Sequence, residues 1–113
     1  MQLNMKTPTK IAIVVALFVG AASLHADVEA NWKKNCASCH GQDGTGKTMM
    51  GKKAGAKDYT DATVQESFTD EEAFKATKDG VVKDGKTIMK PYGEKLTDEE
   101  IKELVAYIRA FKK

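Results

Sequence analysis

Cys36-Ala37-Ser38-Cys39-His40 holds the only two cysteines of the chain and one of its two histidines. No other feature constrains the fold as much. Thiols three residues apart project from the same side of a helical turn, so whatever they hold lies across that turn. A tetrahedral zinc site needs about four ligands, yet the second histidine, His25, falls in a leader segment and carboxylates would have to supply the rest. A thiol exchanger would need a βαβ pattern around its C-x-x-C, and none is visible.

The first 26 residues read as a leader removed on export. Lys6 and Lys10 precede an apolar run from Ile11 to Val19, followed by the small residues Gly20, Ala21, Ala22 and Ser23. That run is well short of the roughly 20 residues a bilayer-spanning helix needs, so an uncleaved anchor is the weaker reading. Ala26 is the expected last residue removed, because the acidic, helix-forming Asp27-Val28-Glu29-Ala30 begins directly after it; cuts after Ala22 or Ser23 are the alternatives. The expected location is periplasmic or otherwise exported, with no membrane span left in residues 27–113. Residues 1–26 take two lysines and no acid with them, so the formal +2 of the whole chain belongs to the leader. The neutral remainder lacks the basic surface that nucleic-acid binding requires. Residues 27–113 make a single domain, expected to act as a monomer, near the size at which a side-chain core alone is marginal.

Val28, Trp32 and Cys36 recur every four residues, which predicts a first helix whose inner face runs into the cysteine cluster. Gly41, Gly44, Gly46, Gly51 and Gly55 predict a long ordered loop to Asp58. Thr69-Asp70-Glu71-Glu72 and Thr97-Asp98-Glu99-Glu100 are capping boxes. The first predicts a helix to Lys78, stopped near Gly80. The second predicts a terminal helix with the stripe Ile101, Leu104, Val105, Ile108 and Phe111. No alternating apolar–polar run suggests strands, so the expected class is all-α.

C-x-x-C-H is the pattern of c-type haem attachment: the two sulfurs form thioethers to one porphyrin edge, and the adjacent imidazole reaches the iron. Cys36 and Cys39 are thus the expected covalent sites for one haem c, and His40 the expected iron ligand. Gly41-Gln42-Asp43-Gly44-Thr45-Gly46-Lys47-Thr48 also satisfies the phosphate-loop pattern G-x-x-x-x-G-K-[ST]. That mechanism requires a buried strand before the loop, and Trp32-Lys33-Lys34-Asn35 is no such strand.

Together with the cysteine cluster, Gly41, the loop Gly44-Thr45-Gly46, the segment Met89-Lys90-Pro91-Tyr92-Gly93 and the final helix through Leu104, Val105, Tyr107 and Ile108 make the chain similar to the small bacterial class I (mono-haem) cytochromes c. The resemblance covers all of residues 27–113. It implies an all-α domain whose helices wrap one covalently bound haem, with the first and last helices crossing and Trp32 near Tyr107. It implies an electron carrier rather than an enzyme, cycling iron between Fe(II) and Fe(III) and serving redox protein partners. It also implies that the second ring N–H of His40 donates to a loop carbonyl; because Pro91 is the only proline after the leader, that carbonyl is expected between Met50 and Lys53.

Met49, Met50 and Met89 are the methionines beyond the leader, and reach alone does not exclude the first two as sixth ligand of the iron. Context and the resemblance favour Met89, which precedes Pro91 and Gly93 between two capped helices, with Tyr92 at the family's aromatic position. A soft neutral sulfur stabilises ferrous iron and raises the potential relative to a second histidine. The rival reading leaves the second axial position open, as in a peroxidase-like enzyme or gas sensor, but no distal His or Arg stands out, since Arg109 sits on the last helix. Lys33, Lys34, Lys47, Lys52, Lys53 and Lys57 make the haem-attachment end basic, which suits an acidic redox partner.

Overall fold

The computed structural model describes the backbone of residues 22–113 and the side chains from Asp27 onward; the expected leader, up to residue 21, lies outside the described residues. Helix α1 (Ala22–Asn35) runs into the four-residue helix α2 (Ala37–His40). Two short helices follow, α3 (Met49–Ala54) and α4 (Ala62–Glu66), and then α5 (Asp70–Asp79). A hairpin of β1 (Val81–Lys83) and β2 (Lys86–Met89) leads to the terminal helix α6 (Asp98–Ala110).

The two long capped helices form where the sequence places them. Both boxes close fully: the Thr69 and Thr97 hydroxyls accept from the backbone of Glu72 and Glu100, and those carboxylates accept in return from the threonine N–H groups. Three acidic residues in each first turn complement the positive end of the helix dipole. Helix α5 ends at Gly80, whose φ of +76° only glycine adopts without strain.

The core lies between α1 and α6. Val28, Trp32 and Cys36 face Leu96, Ile101, Leu104 and Ile108, and all are buried. The Trp32 ring lies 5.5 Å from Tyr107 and 5.1 Å from Phe111, so the expected aromatic contact between the first and last helices is present. A polar tie adds to it: Glu100 accepts from Asn31 Nδ2 at 2.9 Å with the carboxylate oxygen its cap does not use.

Three elements escape the helical reading. Helix α3 interrupts the predicted glycine loop, started by Thr48, whose hydroxyl accepts from Gly51 N, and ended by left-handed Gly55. Helix α4 is capped by Asp61. The hairpin pairs Val81 with Met89, Val82 with Thr87 and Lys83 with Lys86. Its turn residues Asp84 and Gly85 both have positive φ, 52° and 75°. Asp-Gly favours such a two-residue turn, whose twist matches that of the flanking strands. A two-stranded ribbon does not change the predominantly helical class, but it sets where Met89 sits.

Glu100 supplies a pH test. Its hydrogen bonds from the Thr97 backbone and then from Asn31 hold the carboxyl below the usual glutamate range. A depressed folded-state pKa gives stabilisation that is present above the unfolded value, roughly 4.3, and lost as pH falls through the folded value. Glu100→Gln is therefore expected to melt at lower temperature than wild type at pH 7, with the gap closing below about pH 4. Thermal melts of the holoprotein across that range check it.

Candidate functional site

Trp32 places the cysteine cluster. Its ring is buried under α6, and its Nε1–H donates to the Gly41 carbonyl at 3.0 Å, fastening the end of α2 to the last turn of α1. The chain between is wound tightly: Cys36 N donates to Trp32 O, His40 N to Cys36 O and Gly41 N to Ala37 O, each within 2.8–2.9 Å. Cys36, Cys39 and His40 therefore share one continuous turn.

The glycine loop clamps that turn from outside. Gly46 N donates to His40 O at 2.8 Å, and the Thr48 hydroxyl donates to Cys39 O at the same distance. Gly51 comes so close that a Cβ there would lie 2.0 Å from Cys39 O, so only glycine lets α3 pack against α2. These contacts also dispose of the phosphate-loop reading. A helix, not a strand, precedes Gly41, and the Thr48 hydroxyl that would face a magnesium ion is committed to Cys39 O and to capping α3.

Both thiols are free. Burial, with the neighbouring Cys39 adding, pushes the Cys36 thiol up to about 12. Exchange catalysts of the C-x-x-C type work with a lowered thiol pKa, the opposite of the shift at Cys36. Among the described residues no group of three His, Cys, Asp or Glu is placed to hold a metal ion.

The His40 imidazole packs 5.2 Å from Tyr59 in a stacked geometry and 5.6 Å from Trp32. Burial holds its pKa below the ordinary histidine range, so the ring is neutral at physiological pH and keeps the lone pair that a metal requires. Nδ1 is buried without a hydrogen-bond partner among the described residues. The carbonyl expected from Met50–Lys53 does not serve it. Those residues lie within α3, where carbonyls are drawn into helical bonding; Gly51 O already accepts from Gly55 N and Ala56 N.

Met89 ends β2, partly buried, and the chain after it is pinned by α5: Tyr92 N donates to Thr77 O at 2.9 Å and Gly93 N to Lys78 O at 3.0 Å. Met50 and Met49 are 59% and 89% exposed on α3, beside the cysteine turn. Cys36, Cys39 and His40 are thus brought together on one turn, while Met89 sits apart in sequence on β2, paired with Val81 and close to Gly80. Reading the sequence missed Tyr59; its contact with His40 joins separate stretches of chain and leaves no local pattern.

The residues present fit a haem. Besides two unpaired thiols and a neutral buried imidazole, the four exposed large apolar side chains among the described residues lie on two elements, Met49 and Met50 on α3 and Val82 and Ile88 on the hairpin. Helix α3 packs against the cysteine turn and the hairpin carries Met89, so a broad apolar group held there would have such side chains to cover. Surface cavities of about 360 and 400 Å³ lie elsewhere, one lined by α1 and Leu96, the other between α5 and α6. Neither is lined by Cys36, Cys39, His40 or Met89.

The family model described as cytochrome c oxidase, cbb3-type, subunit III matches residues 23–108. Two solved structures are similar. The KustC0563 c-type cytochrome is 36% identical with a TM-score of 0.67, over 75% of this chain and 96% of its own. A tyrosine-to-phenylalanine mutant of Kustc0563 is also 36% identical, with a TM-score of 0.66 over 76% and 99% of the two chains. No curated protein matches.

Thr48→Val removes one hydroxyl that both supports Cys39 O and caps α3. The expected cost is about 1–2 kcal/mol of stability, from a lost cap and an unpaired carbonyl, measured by denaturant unfolding of the holoprotein.

Proposed function

The chain belongs to the family represented by subunit III of cbb3-type cytochrome c oxidase, as a small class I cytochrome c, and on that premise we propose a soluble, single-haem carrier with His40 and Met89 as axial ligands. Membership brings covalently bound haem c, its iron, electron transfer and redox protein partners. The finer assignments are this chain's own: thioethers at Cys36 and Cys39, one haem, and electron carriage without substrate chemistry. The observation that carries the reading is His40, a neutral, buried imidazole on the same helical turn as two free thiols.

When bound, the haem iron gains and loses one electron. The protein's task is to keep that exchange free of side chemistry and of large rearrangement. Cys36 and Cys39 would hold the group through thioether bonds that do not dissociate. His40, wedged by Trp32 and Tyr59, cannot rotate freely, and the loop from Met89 to Gly93 is held by α5. Arg109, the chain's single arginine, is committed elsewhere: it binds Asp70 at 2.8 Å, Gln65 and the Phe68 carbonyl, which supports a carrier over peroxide chemistry.

Charge placement supports an acidic partner. Residues 27–57 carry six lysines against Asp27, Glu29 and Asp43, and residues 75–95 carry six more against Asp79, Asp84 and Glu94. The intervening residues 58–74 hold six acids and no base. Of the lysines at the haem-attachment end, Lys33 pairs with Glu29 at 3.3 Å and Lys57 lies over the Phe68 ring. Lys34, Lys47, Lys52 and Lys53, with Lys83, Lys86 and Lys90 of the hairpin side, are the steering charges we assign. Monomeric action follows the same reading.

Export belongs to the proposal too. Helix α1 begins at Ala22; a cut after Ala26 would start it at Asp27 and put Asp27 and Glu29 in its first turn, where the helix dipole favours acids. Among the described residues no helix is long and apolar enough to cross a membrane.

One preparation tests the assignments. Mature protein from a haem-competent secretory host is expected to begin at Asp27 and to keep one haem on denaturation, by intact mass. Cys36→Ala with Cys39→Ala should release it. Ferric protein should show the weak far-red band of iron–methionine bonding and ferrous protein should bind carbon monoxide poorly; Met89→Ala is expected to abolish the first and permit the second. Avid carbon monoxide binding by the unmutated protein would replace the carrier with the open-site sensor or enzyme.

A further inference from the structure

Tyr92 joins the two segments that carry the assigned axial ligands. Its hydroxyl donates to the Asn35 carbonyl at 2.8 Å, across 57 residues of sequence. Asn35 is the last residue of α1 and directly precedes Cys36, so this carbonyl is among those a helix end leaves without an intrahelical partner. Tyr92 stands three residues beyond Met89. Among the described residues, this is the hydrogen bond that ties the stretch 86–93 to the stretch 32–41.

Among the described residues, the other polar ties of the methionine segment run to α5, to its own hairpin or to the turn that follows it, where Tyr92 O accepts from Lys95 N and Leu96 N. Met89 pairs with Val81, Tyr92 N donates to Thr77 O, and Gly93 N donates to Lys78 O. The chain passes directly over Gly80, where a Cβ would lie 2.6 Å from Met89 O and 2.9 Å from Pro91 N. Segment and helix α5 therefore form one body, and the cysteine turn with α1 forms another. The Tyr92 ring packs against the core cluster that contains Cys36, so its hydroxyl reaches Asn35 from a fixed position.

We propose that Tyr92 is a positioning residue, whose hydroxyl sets the distance between the Met89 segment and the His40 turn. This rests on the assignment of Met89 as ligand. A thioether is a neutral, weakly held ligand, so the lifetime of its bond to iron depends on how rarely the loop swings away. An added ligand can enter only in that open state, and its apparent affinity scales with the open fraction. Loss of one net hydrogen bond enlarges that fraction about fivefold.

The test compares holoprotein of wild type, Tyr92→Phe and Thr97→Ala. Tyr92→Phe keeps the ring and removes only the hydroxyl. Thr97→Ala weakens the cap of α6 without touching the methionine segment, and so controls for general loss of stability. Imidazole is titrated into ferric protein, and carbon monoxide is mixed with ferrous protein. Tyr92→Phe is expected to bind imidazole about fivefold more tightly and carbon monoxide correspondingly faster, and to lose its far-red band at lower temperature, while Thr97→Ala matches wild type in imidazole affinity. Unchanged imidazole affinity in Tyr92→Phe overturns the inference while a far-red band in wild type leaves Met89 in place. An equal rise in both variants also overturns it. Absence of the band from wild type removes Met89 as ligand and the positioning role with it.

Discussion

The site and the core meet in the indole of Trp32. Its apolar body lies in the α1–α6 interface against Tyr107 and Phe111, where burial of an aromatic of this size contributes a large share of the stability of a small domain. Its one polar atom must find a partner once buried, and the partner is Gly41 O, immediately after His40. Packing two helices together therefore also sets the path of the chain through Cys36, Cys39 and His40. A smaller residue at position 32 would loosen the helix pair and the cysteine turn at once, because one side chain serves both.

A second junction closes the opposite flank. Gln65 is buried on α4 and donates through Nε2 both to Tyr59 O at 2.7 Å and to Ile108 O at 2.8 Å. Arg109 returns the contact from α6, accepted by the Gln65 carbonyl and side-chain oxygens and by Phe68 O, with its guanidinium 4.3 Å above the Phe68 ring. Each donor of this network meets an acceptor, so burying it costs little, whereas a single deletion would strand several groups. Tyr59, and through it the stacking on His40, is held by residues of α4 and α6.

What the sequence made legible follows from how local each signal is. The capping boxes at Thr69 and Thr97 and the four-residue recurrence of Val28, Trp32 and Cys36 are complete within one or two turns, and α5, α6 and α1 formed accordingly. Helices α3 and α4 are too short to show a stripe, and their N-caps Thr48 and Asp61 read as ordinary loop residues. The hairpin did carry a local mark, Asp84-Gly85 between two β-prone triplets, which the surrounding lysines obscured. The C-x-x-C-H cluster was decisive for chemistry because it needs no tertiary context. Tyr59 on His40 and the Tyr92 hydroxyl on Asn35 exist only by folding, and no spacing rule reaches them.

The segregated charges of residues 27–113 have a consequence for approach. Sixteen positive and sixteen negative side chains cancel over that stretch, so at long range a charged body exerts no net pull on it. With the acids concentrated in residues 58–74 and lysine surpluses on either side of them in sequence, what survives is a torque. At physiological ionic strength screening confines that torque to the last ~8 Å of separation. Orientation by residues 27–113 is then chosen in the final few layers of water, which is where the lysines assigned to steering act.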